Sequence, residues 1–159
     1  MLPWLLACAG CASYHAGAIH DPGFKTIFIE NFKSDVDEPQ LENLVSTTVI
    51  QQFQRDGTIQ VTDLEKADVI LKGHITSFEM TPIRVSRENE LTPTEVSMTI
   101  GVSYTLTKKG ESKPYTESKA QGSASFFIGN DLQSDKRQGV PLAAAKLGQH
   151  IVSALADAW

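Results

Sequence analysis

The 159-residue sequence has almost no cysteine: Cys8 and Cys11 are the only two. Nothing after Cys11 can therefore form a disulfide, a thiolate metal site or a cysteine nucleophile. Positive charge is in deficit. Fourteen Lys and Arg against 19 Asp and Glu give a formal net charge of −5. That excludes a nucleic-acid binder relying on a broad basic surface. No apolar run is long. Residues 2–9 are apolar but broken by Pro3, and a bilayer span needs about 20 residues. No GxGxxG, P-loop, GxSxG or HExxH pattern occurs, and there is no internal repeat. What remains is 41% hydrophobic and 21% charged. That is too apolar for disorder, and the length suits one domain with one core.

The N-terminus is informative because charge is missing there as well. No charged side chain precedes Asp21. The apolar stretch followed by small residues resembles the end of a secretory signal. Ala9-Gly10-Cys11 resembles a bacterial lipobox, in which the peptidase cuts before a cysteine that then carries acyl chains. Each buried methylene adds about 0.8 kcal/mol, so several chains anchor firmly. Cys8 stands where a lipobox usually has leucine, and Leu5-Leu6-Ala7-Cys8 is a competing lipobox. No basic region precedes the apolar run, which a start codon placed too late would explain. The expectation is residues 1–10 as a signal remnant, 11–23 as a lipidated tether and 24–159 as one α+β domain. Cys11 is the preferred lipidation site and Cys8 the alternative. Cys8 and Cys11 are formally CxxC, but no strand precedes them as a redox motif requires. A zinc site would need two further ligands, and His15 and His20 lie in a short tether.

Along the chain, residues 24–31 alternate and read as a strand. Pro39 fits a first helical position, with Asp37 or Glu38 as cap. Leu41, Leu44, Val45, Thr48, Gln52 and Phe53 then follow helical spacing as far as Asp56-Gly57. Residues 58–63 read as a short strand and 68–82 as a long one. In the long strand Val69, Leu71, Gly73, Ile75 and Ser77 share one face. Phe78 and Met80 fall on the other. Residues 83–93 read as a polar connection. Residues 94–107 give the strongest strand signal, with Val96, Met98, Ile100, Val102, Tyr104 and Leu106 on one face. A Gly-containing turn at 108–113 leads to a diluted strand over 115–128. After a polar loop, residues 139–159 read as a helix. The order β-α-β-β-β-β-α implies two helices on one face of a mixed, mainly antiparallel sheet. Phe78, Met80 and Phe126 are candidates for an apolar patch on the outer face, as on a partner surface.

No catalytic constellation has adequate spacing. His74 reads as a half-buried structural residue and His150 as a solvated one. Nine acids against three bases between Glu30 and Asp68 read as a solvated face around the first helix. The basic complement is Arg84 and Arg87 between the long middle strands, and Lys108 and Lys109 at the following turn. These are the candidates for anionic-ligand binding. No metal or cofactor is implied.

The segments Gly10-Cys11 with Tyr14-His15, KTIFIENF, VTDLEKADVILKGHITSF, SMTIGVSYTL and LGQHIVSALADAW follow in order. In that order the chain resembles the LptE family of lipopolysaccharide-assembly lipoproteins, over residues 10–159. The resemblance implies a fold of two helices and four strands and a non-catalytic role. It implies a lipid-anchored, periplasm-facing protein of the outer membrane. The partners implied are an LptD-type β-barrel and lipopolysaccharide, with no nucleic acid. The opening FIENFKSD and helix also resemble outer-membrane lipoproteins that activate peptidoglycan synthases or build secretion pores.

Overall fold

The computed structural model describes residues 23–85, 93–128 and 132–157. Cys8, Cys11 and Arg87 lie outside them. In chain order the elements are β1 (Thr26–Ile29), β2 (Lys33–Ser34), α1 (Leu41–Asp56), β3 (Gln60–Val61) and β4 (Val69–Val85). Then come β5 (Pro93–Lys108), β6 (Thr116–Phe127) and α2 (Leu132–Asp157). The sheet runs β3-β1-β4-β5-β6, with β2 also paired to β4. β1 and β2 lie parallel to β4, and β4, β5 and β6 form an antiparallel meander. Both helices cover one face, so the expected α+β class holds. Among the described residues the sheet has six strands rather than four, because three short parallel strands stand beside the three long ones.

α1 forms because Leu41, Val45, Val49 and Phe53 recur on one stripe and bury completely or nearly so. Its start differs from the expectation. Neither Asp37 nor Glu38 caps it, and Pro39 precedes the first turn. The N-cap is Gln40, in a left-handed conformation with φ 63° and no side-chain cap. The carboxylate of Glu38 is committed elsewhere, to Lys136 at 3.0 Å. The end is as expected: Gly57 takes φ 74° and its N–H donates to the Phe53 carbonyl. Ser46 ties this helix to the sheet. Its Oγ accepts from the Phe32 N–H at 2.8 Å and donates to the Glu42 carbonyl at 2.7 Å.

β5 is the spine. Val96, Met98, Ile100, Val102, Tyr104 and Leu106 all bury toward the helices. β4 follows the same face only as far as Ile75. Ile75 pairs with Val102, but Ser77, not Thr76, pairs with Gly101. The extra residue is a β-bulge, and it reverses the alternation beyond it. Phe78 and Met80 therefore lie opposite Ile100 and Met98 and pack against the core. Phe126, opposite Val96, lies against Gly139 of α2. The expected outer apolar patch of Phe78, Met80 and Phe126 does not form. On β5 the outer face is instead Ser97, Thr99, Gly101, Ser103 and Thr105.

α2 begins seven residues before the expected Gly139, and Pro141 lies inside it. α2 packs on β6 and β5, while α1 packs on α2 and the short strands. The helices run in the same direction. Glu38, just before α1, meets Lys136 early in α2, and Gln52 meets Gly148 further along.

Candidate functional site

The long antiparallel strands give the molecule two distinct ends. The near end holds the start of β1 and the β5–β6 turn. There Asp68 ties the chain together. Its Oδ2 accepts from the backbone N–H of Lys25 at 2.9 Å and of Thr26 at 3.0 Å. These hydrogen bonds, that of Lys25 foremost, hold the carboxyl below its ordinary value of 3.8. A lowered folded value means the contribution to stability is present above the unfolded value. It is lost as pH falls through the folded one. The stability difference between the native chain and Asp68→Asn is therefore expected to be largest near about pH 6 and to shrink toward about pH 3. Urea midpoints across that range check it, and a constant difference would contradict the assignment.

Lys108 and Lys109 also lie at the near end. The Lys108 ammonium sits 4.4 Å from the centre of the Tyr115 ring. Lys109 Nζ donates to the Glu65 carbonyl. Arg84 is at the opposite end of β4. It lies fifteen residues along β4 from Val69, the register partner of Lys108, which is about 50 Å at strand rise. The sheet thus does not bring Arg84 together with Lys108 and Lys109, and one small headgroup cannot touch both sets.

The far end has a different character. Every described residue from Thr81 to Val85 is exposed. Arg84, Glu95 and Phe127 occupy one row across β4, β5 and β6. Arg84 Nε lies 3.6 Å from Glu95 Oε2. At this end of the sheet, Ile83 and Val85 of β4 and Phe127 of β6 are large apolar side chains left open, Phe127 at 68%. A cation at an end that also exposes apolar groups suits an anionic amphiphile, with the guanidinium taking the headgroup and the apolar side chains an acyl chain.

A second feature begins beside it. Lys136 lies between Glu38 and the Phe78 ring, 5.6 Å from the ring centre. Lys136 and Arg137 stand at a groove of about 430 Å³ between the first turns of α1 and α2, lined by Leu44, Val140 and Pro141. Arg137 Nη2 donates to Ser134 Oγ at 2.8 Å. Sequence reasoning missed these cations, because the residues before 139 read as a polar loop. The signal available was Lys136, Val140, Ala143, Ala144 and Leu147, which continue one helical stripe backward past the proline.

The remaining candidates are structural. His74 Nε2 lies 2.7 Å from Asp35 Oδ2 and fastens the β2–α1 connection to β4. His150 is exposed, with Nδ1 2.6 Å from the Gln121 carbonyl oxygen. Several acids around α1 have partners: Glu30 with Lys72 at 3.1 Å, Glu38 with Lys136, and Glu42 accepting from the Ser34 N–H at 2.7 Å. Among the described residues no group of His, Cys, Asp and Glu is placed to hold a metal ion. No described helix is long and apolar enough to cross a membrane.

This two-layer arrangement recurs in small bacterial proteins of low sequence similarity. A hypothetical protein from Chlamydia trachomatis shares it at TM-score 0.61 and 10% identity, over 84% of this chain and 96% of that one. A minor lipoprotein from Acinetobacter baumannii shares it at TM-score 0.54 and 15% identity, over 86% and 95%. PelC from Paraburkholderia phytofirmans, a dodecamer, shares it at TM-score 0.53 and 13% identity, over 83% and 87%. At these identities the likeness shows the fold alone. No curated protein matches the sequence. The family is shown by the sequence itself. Residues 24–155 match the family model LptE, lipopolysaccharide-assembly, and the chain belongs to that family. It is a non-enzymatic family of lipoproteins in lipopolysaccharide assembly.

Proposed function

We propose that this chain is a lipid-anchored, periplasm-facing lipoprotein of the outer membrane. It associates with an LptD-type β-barrel and supports the assembly of lipopolysaccharide there, without catalysing a reaction. Cys11 carries the acyl chains, with Cys8 the alternative. The observation that carries the reading is the family match across residues 24–155. Two structural features support it. The far end offers Arg84 amid Ile83, Val85 and Phe127 to a glycolipid that is both anionic and acylated. Arg87 belongs to the same proposed contact by its place in the sequence. Lys108 and Lys109, at the other end, would serve a different anionic contact. The outer sheet face, with Ser97, Thr99, Ser103 and Thr105 half-buried beside the exposed Lys119 and Gln121, suits the polar interior of a wide barrel.

Affinity capture from detergent-solubilised membranes tests the reading. Co-purification of a large β-barrel protein is expected, and its absence under conditions that preserve membrane complexes would contradict it. Depletion separates the reading from a role in peptidoglycan synthesis or secretion. Mislocalised lipopolysaccharide is expected, whereas a cell-wall synthesis defect alone would overturn it.

A further inference from the structure

β6 is the long edge of the sheet: among the described residues no strand pairs on its other side. Its hydrogen-bonding alternation can be worked out. The Ile128 N–H donates to the Thr94 carbonyl, so 94 and 128 form a hydrogen-bonded pair. In an antiparallel ladder such pairs recur at every second residue. Ala120, Gly122, Ala124 and Phe126 therefore spend their backbone groups on β5. Lys119, Gln121, Ser123, Ser125 and Phe127 turn theirs outward. The contact at Gln121 agrees with this, because its carbonyl oxygen is met from α2 by His150 Nδ1. That contact blocks the middle of the edge and leaves the stretch Ser123, Ser125 and Phe127 beyond it.

A long edge strand with outward backbone groups is a template for another strand, and folded proteins usually blunt such edges. Here the blunting stops at Gln121. Two apolar side chains flank the remainder. Phe127 stands on the outer face, and Leu142 of α2 is 54% exposed. Leu142, Lys146 and His150 follow one another at i, i+4 and i+8 on the helix, the stripe from which His150 reaches the edge. Four helical residues rise about 6 Å. Two strand residues rise about 6.6 Å. An added strand would thus set alternate inward side chains level with Leu142 and Lys146.

We propose that this half of the β6 edge docks an extended peptide segment of a partner protein. The segment would carry an apolar and an acidic side chain two residues apart. Its backbone completes the bonds of Ser123 and Ser125. Its apolar side chain covers Leu142, and its carboxylate meets the Lys146 ammonium. Charge complementarity selects such a segment over a second copy of β6, whose helix-side residues are Ala120, Gly122, Ala124 and Phe126 and offer Lys146 no carboxylate. The inference stands apart from the proposed role in lipopolysaccharide assembly, and either can fail without the other.

The test uses the whole chain and a blocked synthetic peptide, acetyl-Thr-Glu-Thr-Val-Thr-Glu-Thr-amide, whose pattern reads the same in both directions. Amide exchange followed by NMR is expected to slow about tenfold at Ser123 and Ser125 with about 1 mM peptide. Ala124, already bonded to β5, is expected not to change. Ser125→Pro removes an outward N–H and no ladder bond, so the fold is expected to persist while the slowing disappears. Lysine in place of both peptide glutamates is expected to weaken binding. No slowing at Ser123 and Ser125, or equal slowing in Ser125→Pro, would overturn the proposal. Self-association of the chain that Ser125→Pro abolishes would assign the edge to a second copy and also overturn it.

Discussion

Gly122→Val is expected to lower the melting temperature by about 10 °C or to abolish cooperative unfolding. A Cβ at this position would lie 2.2 Å from the Ala143 carbonyl oxygen, 2.2 Å from the Leu147 backbone nitrogen and 2.7 Å from the Leu147 Cα. All three atoms belong to the α2 backbone, which cannot step aside as a flexible side chain could. Overpacking of this kind costs about 3 kcal/mol. For a chain of this size that is a shift of about 10 °C. Strand propensity gives the opposite sign, because valine favours strands and glycine weakens them. The two causes are therefore separable in one experiment. Thermal unfolding followed by circular dichroism checks the outcome. Gln121→Val, one residue along on the outer face, serves as the comparison and is expected to change little. A Gly122→Val chain as stable as the native one would mean that α2 does not rest on β6 as described.

Cys11→Ala is expected to move the protein almost entirely from the membrane to the soluble fraction. No described helix is long and apolar enough to span a membrane. In the proposed reading, anchoring rests on acyl chains at about 0.8 kcal/mol per buried methylene, and loss of the cysteine removes them all. Cys8→Ala is expected to leave the protein anchored, because in the proposed reading that residue departs with the signal. The alternative lipobox reverses both results. Membrane fractionation with mass spectrometry of the mature N-terminus reads both variants. An unmodified chain that keeps Met1 would contradict lipidation at either cysteine.

Much of the fold is legible because two periodicities are unusually clean. Six consecutive alternate residues from Val96 to Leu106 are apolar, and all six bury. The stripe Leu41, Val45, Val49 and Phe53 ends at Gly57, whose positive φ is what a helix terminus takes there. β4 was legible only in part. Period two carries no mark of an inserted residue, so the bulge at Thr76 turned the expected outward Phe78 and Met80 inward. The start of α2 was hidden because Gly139 and Pro141 are local helix breakers. Burial of Gly139 against Phe126 and packing along α2 outweigh that preference.

The candidate site was legible by location more than by chemistry. Arg84 reads as a loop-adjacent cation, and it does lie at the far end. What sequence could not show is its full setting, because Ile83 and Val85 are its neighbours on β4 but Phe127 belongs to β6 and enters its row only through register. Nor could it give the distance from Arg84 to Lys108 and Lys109. Hairpin order places turns at alternate ends of a sheet, and only the strand lengths say how far apart. Lys136 escaped notice because its two partners, Glu38 and Phe78, are far from it in sequence.

The central claim, that the far end of the sheet meets lipopolysaccharide, has one direct test. A photo-reactive amino acid placed at Phe127, and separately at Lys109, is irradiated in living cells, and adducts are probed for lipopolysaccharide. An adduct is expected at position 127 that weakens with Arg84→Glu, and none at position 109. An adduct at 109 without one at 127 would contradict it.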